Sequence, residues 1–235
     1  MKRFFIVILL ATAVSLNSAE APATRELSLA AALAALHRPG EKESDVERPG
    51  WRDPSVAQSL SRIAGTSTDA DEARTARTWL AAIEFENIQA ETKPAEIRRK
   101  VDGFTPKLDS LIASNRNSWQ GKVARMMKSN ALLFARRFVE CRSEVADMLE
   151  DITSFKTETH PQFIQFLTIQ KKTAADLDAE ARFLLVIASA LEKDWSAAIK
   201  QAEEIQRQHP GWSKKEGLDD VLGFLHREIS PFHIP

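Results

Sequence analysis

The stretch Ala181–Trp212, ARFLLVIASALEKDWSAAIKQAEEIQRQHPGW, decides the fold. Its first part, Ala181–Leu191, is apolar almost all round, the composition of a helix packed on two sides. Lys193-Asp194 interrupts the run, and a carboxylate at Asp194 suits a cap that accepts from the free N–H groups of a following helix. Trp195, Ala198, Ile199, Ala202 and Ile205 then fall at i, i+3, i+4, i+7 spacing, one stripe turned toward the first helix. His209-Pro210-Gly211 ends the second helix. The stretch spells an antiparallel helical hairpin.

Working outward, the same residues carry a resemblance. Trp195 just after the turn, Ala198 beside Ile199, Leu185 and Ala188 in the first helix, and the closing Pro210 resemble a tetratricopeptide repeat. Val186, Lys193 and Ser189 stand where that family usually has a small residue, a turn glycine and an aromatic. The resemblance covers one unit of roughly 34 residues. It implies an all-α fold of antiparallel hairpins stacked as a short α-solenoid, and a role in binding a protein or peptide partner.

A second copy is expected upstream. Laying Ala131 on Ala181 sets Val145 on Trp195, Met148 on Ala198, Leu149 on Ile199 and Ile152 on Ala202, with His160-Pro161 near His209-Pro210. A fainter third copy runs from Trp79 through Lys93-Pro94 to Thr105-Pro106. The offset is roughly 50 residues, nearer the three-helix end of helical-repeat periods. In this alignment Arg136-Arg137 falls on Val186-Ile187, inside the first helix of a hairpin. Paired arginines on an otherwise apolar helix must reach water, an internal acid or an external ligand, because a buried unpaired charge is costly. Arg136 and Arg137 are therefore the candidate partner-binding residues, their planar forks matched to carboxylates.

The chain opens MKRFFIVILLATAVSLNSAEAPA, a basic start, a short apolar core and small residues for cleavage. That pattern is a secretory signal peptide, assigned to residues 1–21. The apolar run falls short of the roughly 18–20 residues that span a bilayer. Export predicts an extracytoplasmic protein, periplasmic or secreted and of bacterial type, with no integral span after cleavage. Lipid attachment of the bacterial kind needs a cysteine just after the leader, whereas the single cysteine is Cys141. With no second cysteine there is no internal disulfide, and Cys141 reads as a small buried hydrophobe or a link to another chain.

Residues 22–68 form an N-terminal segment: a helix over Leu27–Leu36, a charged linker between Pro39-Gly40 and Pro49-Gly50, and a short helix opened by Asp53-Pro54. The helical-repeat domain takes residues 69–229. Asp69 with Glu72 starts a long helix to about Ala90, Lys93-Pro94 starts the next, and Thr105-Pro106 a third. Trp119–Val139 is expected as one helix, with Ser143 capping its successor, and Ser213 with Glu216 capping the last. A proline-rich tail, residues 230–235, closes the chain.

Composition supports a helical protein: 43% hydrophobic and 28% charged residues, eight glycines and no tyrosine among 235 residues. A formal net charge of −1 argues against a general nucleic-acid binder, which needs a basic footprint. Histidines 37, 160, 209, 226 and 233 lie in no HExxH or Cys/His ligand spacing. His160 and His209 sit at helix junctions, where a turn or cap role is expected. Asp219 and His226 share a helix face but lack further ligands. No GxSxG, phosphate loop or dinucleotide fingerprint occurs. The expectation is therefore a scaffold or adaptor without catalysis, cofactor or metal, compatible with any oligomeric state. The alternative is an all-helical extracytoplasmic enzyme or small-ligand binder whose site is assembled from separated residues.

Overall fold

A computed structural model describes residues 27–36, 53–114 and 117–229. The leader, the charged linker with Trp51, and the tail lie outside the described residues. Twelve α-helices and one 3-10 turn occur among the described residues, with no strand. The chain divides into two compact units between Ala124 and Arg125, inside one helix.

The N-terminal unit is built on helices α1 (Leu29–Leu36), α2 (Pro54–Thr66), α3 (Ala70–Gln89) and α4 (Pro94–Ser114). Asp53 caps α2 by accepting from Ser55 N at 2.8 Å, with Pro54 in the first turn. Val56, Ser59, Leu60 and Ile63 form the buried i, i+3, i+4, i+7 stripe of α2. Leu27 N donates to Ser59 Oγ at 3.1 Å, fastening the start of α1 to that stripe. Asp69 caps α3 as the sequence predicts, accepting from Asp71 N and Glu72 N. Packed by α2 on one side and α4 on the other, α3 buries Trp79, Ala82 and Ile83 along with Thr75, Phe85 and Ile88. Phe85 and Phe104 stack at 6.4 Å. The break expected at Thr105-Pro106 does not occur, since α4 runs straight through Pro106. Pro106 stands on the exposed face, while Phe104, Thr105 and Leu108 are buried around it.

The C-terminal unit takes the second half of α5 (Trp119–Phe134), then α6 (Phe138–Glu150), α7 (Ile152–Lys156), α8 (Pro161–Ile169), α9 (Leu177–Leu191), α10 (Trp195–Gln208), α11 (Pro210–Glu216) and α12 (Leu218–Ile229). A 3-10 turn at Ala174–Asp176 leads into α9. The organising stretch folds as an antiparallel pair α9–α10, with Asp194 accepting from Ala197 N at 3.1 Å. Ala198, Ile199, Ala202 and Ile205 are buried against Ala179 and Val186, and α12 closes the cluster with Leu218, Leu222 and Leu225. The valine, isoleucine and leucine side chains among them contribute about 1.5–3 kcal/mol each on burial.

Helix ends and the alignment of hairpins also differ from expectation. Helix α5 stops at Phe134, not Val139, and Ser143 lies inside α6. Ser213 is buried within α11, and α12 starts instead after Gly217, which is left-handed at φ 70°. The structure matches α5–α6 to α9–α10 at an offset of 57 residues, which sets Arg136 on Lys193 and Phe138 on Trp195. Buried positions then coincide: Ala131 with Ala188, Cys141 with Ala198, Val145 with Ala202, Met148 with Ile205, and Phe155 with Trp212. The shorter offset drawn from apolar spacing places a turn of one hairpin on a helix of the other.

Candidate functional site

Arg136 and Arg137 lie in the turn between α5 and α6, not on the first helix. Arg136 is left-handed at φ 61°; its N–H reaches Leu133 O at 3.0 Å, and Arg137 N–H reaches Leu132 O at 2.9 Å. This paired return of N–H groups to the last carbonyls is the Schellman end of a helix. The turn between α9 and α10 repeats it, with Lys193 at φ 63° donating to Ala190 O and Asp194 N donating to Ser189 O. A third instance follows α8, with Lys171 at φ 56°. All three helices thus end on a basic residue in a conformation that glycine usually fills, with the cation beside the carbonyl-rich terminus. Arg137 turns its fork onto Glu140, Nε to Oε1 at 2.7 Å and Nη2 to Oε2 at 2.5 Å. That guanidinium holds the Glu140 carboxyl below its ordinary range. Arg136 is exposed.

Arg142 on α6 hydrogen-bonds to Glu192 just past the end of α9. The two turns therefore share one edge of the C-terminal unit, and exposed apolar side chains collect there. Val139 is 79% exposed at the start of α6, and Leu191 is 42% exposed at the end of α9. Phe224 and Ile229, in the last turns of α12, are 40% and 46% exposed. Phe224 meets half-buried Trp195, the first residue of α10, edge-on at 6.4 Å. Only Ile164, among the large hydrophobics comparably exposed in the described residues, lies elsewhere.

The opposite end of α9 is polar. Asp176, Asp178 and Glu180 mark its N-terminus, where carboxylates oppose the positive end of the helix dipole. Asp176 accepts from Lys215 Nζ at 3.1 Å, and this pairing holds the Lys215 ammonium above its ordinary range. Asp178 accepts from Arg182 Nε at 2.7 Å and stands 3.4 Å from His209 Nε2. Glu180 binds Lys172 Nζ at 2.9 Å and Trp212 Nε1 at 3.2 Å. Sequence reasoning gave His209 only a junction role and missed this network. The signal was the acidic alternation just ahead of an apolar run.

In the N-terminal unit an open groove of about 720 Å³ runs between α3 and α4, lined by Arg77, Leu80, Glu84, Asn87, Pro106 and Lys107. The Glu84–Lys107 ion pair, 2.8 Å, crosses it and neutralises both charges. No group of three or more His, Cys, Asp or Glu among the described residues is placed to hold a metal ion. Asp219 accepts from Gln206 at 2.5 Å, while His226 faces Glu203 at 4.0 Å, so the two are drawn to different partners. His160 caps α8, its Nδ1 accepting from Gln162 N at 3.2 Å; His37 and His233 lie outside the described residues. Cys141 is fully buried, and burial pushes its thiol up to about 11. Neither a family model, nor a curated protein, nor a solved structure matches the chain.

Proposed function

We propose that the chain is an exported helical-repeat scaffold or adaptor, working outside the cytoplasm and binding a protein or peptide partner without catalysis of its own. One observation carries this reading: α5–α6 and α9–α10 bury matching positions at one offset and set their turns along a common edge. Stacked hairpins of this kind present extended surfaces in solenoid proteins. The tetratricopeptide-like residues of α9–α10 and the leader pattern support the same class.

The test is capture of the mature protein's partner from the native envelope, comparing wild type with Arg136→Glu plus Arg137→Glu. Reversal of Arg137 also sets a carboxylate against Glu140, so melting is measured alongside. A partner held by the wild type and lost by the variant at unchanged melting supports the reading. Equal capture by both retires the arginines as contacts. Sequencing the exported protein's first residues checks the leader, and a start at Met1 ends the export reading. The α3–α4 groove favours the second reading, a small-ligand binder. A metabolite that raises the melting temperature of the wild type but not of Asn87→Ala would support it.

A further inference from the structure

We propose that the edge carrying the two turns docks on an anionic bilayer surface, with Val139, Leu191, Phe224 and Ile229 entering the acyl boundary and Arg136 and Lys193 meeting lipid phosphates. This goes beyond the scaffold reading and does not depend on it.

The apolar side chains on this edge belong to three different helices and stand at their ends, not along a groove. A folded partner would need a separate pit for each tip, whereas a fluid lipid boundary accepts tips of irregular height. Trp195 behind Phe224 has the amphipathic ring that favours the headgroup level. Arg136 and Lys193 flank the tips on long apolar stems, so their heads can stay at the phosphates while the stems dip. Both are exposed, and their left-handed backbone turns them out from the helix ends.

Acidic groups on this edge are mostly engaged. Glu140 is held by Arg137, Glu192 by Arg142, and Asp194 accepts from the start of α10. Glu228, next to Ile229, is exposed and is the acid at this end that would turn toward water. The far end of α9 carries Asp176, Asp178 and Glu180, and an anionic surface would turn that end away. The two ends lie ~22 Å apart along a 15-residue helix. No described helix is long and apolar enough to cross a membrane. The contact proposed is interfacial, combining apolar insertion with surface charge.

The experiment places a polarity-sensitive fluorophore on the full chain at Val139→Cys, with Lys214→Cys at the far end as its control. Cys141 is buried with a raised thiol pKa, and the chain without an added cysteine, treated with the same fluorophore, should stay unlabelled. Vesicles of about three parts phosphatidylcholine to one part phosphatidylglycerol are added, and pure phosphatidylcholine serves for comparison. A probe that reads local polarity separates docking of this edge from any binding by the apolar leader. The expected result is a blue shift at position 139, absent at 214 and weak without anionic lipid. Arg136→Gly with Lys193→Gly removes both charges while suiting the left-handed backbone, so the fold is kept. In that background the lipid concentration for half-shift should rise about twenty-five-fold, roughly fivefold per surface charge. No shift at 139, equal shifts at both positions or in both lipids, or an unchanged half-point in the glycine variant overturns the proposal. A shift that grows with protein concentration without lipid also overturns it, and assigns the edge to a second copy of the chain.

Discussion

The hairpins α5–α6 and α9–α10 follow one backbone plan with differently composed interiors. In the second, Val186, Ala198, Ala202 and Ile205 make an apolar seam. Equivalent positions in the first are Ser129, Cys141, Val145 and Met148, all buried, with Cys141 Sγ donating to Ser129 O at 3.3 Å. Beside the seam, Lys128 binds Glu144 where the second hairpin has Leu185 and Gln201. Arg125 meets Asp147 at 3.5 Å, and their counterparts are Arg182 and Glu204. What both hairpins keep is a small residue where the helices approach, the Schellman turn and a buried aromatic after the second helix. The plan depends on those, and tolerates charge or hydrocarbon in between. An apolar seam stabilises through area, whereas an ion-paired rung fixes register at a desolvation cost.

Substitutions and one titration break or sharpen this comparison. The largest effect is expected in the apolar seam: Ile205→Ala, at a fully buried position, should lose about 3 kcal/mol by denaturant unfolding. A loss below about 1 kcal/mol would mean the seam is not packed as described. Next comes the polar rung. Glu144→Ala removes the carboxylate hydrogen-bonded to Lys128, whose side chain is 14% exposed, and should cost about 1–2 kcal/mol, below the fully buried case because water and other groups still meet the ammonium. Lys128→Leu with Glu144→Gln imports the second hairpin's residues and should be neutral or stabilising; if the pair costs more than the single change, the rung is essential to the first hairpin.

Smaller effects follow from the shared turn. Arg136→Gly and Lys193→Gly should each raise stability by about 0.5–1 kcal/mol, by relieving a left-handed backbone at a residue with a Cβ. Gly217→Ala should lose about 1 kcal/mol for backbone reasons alone, since a Cβ there would meet only Asp220 Oδ2 at 3.9 Å. Equal melting of all three variants would place these turns outside the left-handed region. The smallest effect lies in the N-terminal unit, at an ion pair outside either hairpin. The hydrogen bond from Lys100, first, and backbone N–H groups bring the Glu91 carboxyl from 4.5 to about 2. A carboxyl whose folded value is depressed stabilises above its unfolded value and loses that contribution as pH falls through the folded one. The contribution should therefore be whole above pH 4.5 and fade toward pH 2, with Glu91 titrating near 2 by NMR. A midpoint near 4.5 would show the clasp open in solution.

By itself the sequence determined what local chemistry determines. Asp53-Pro54, Asp69, His160-Pro161 and Asp194 start helices because a side-chain acceptor and a preset proline φ act within one turn. The seam of α10 was legible because heptad-like spacing leaves little choice of buried face. Tertiary structure decided the rest. The turn at Ala135–Arg137 carries no glycine or proline, so tertiary packing, of α6 on α5 and on α9, selects a left-handed Arg136 over a continued helix. Pro106 lacks an N–H yet sits mid-helix, because burial of Phe104 and Leu108 on either side outweighs one lost hydrogen bond. Arg136 and Arg137 stand out in the sequence as charges aligned with an apolar helix, but their place at an edge depends on where two helices end. That edge and the contacts of Asp176 with Lys215 and Glu180 with Trp212 join residues far apart in the chain, and spacing along a sequence records no such proximity.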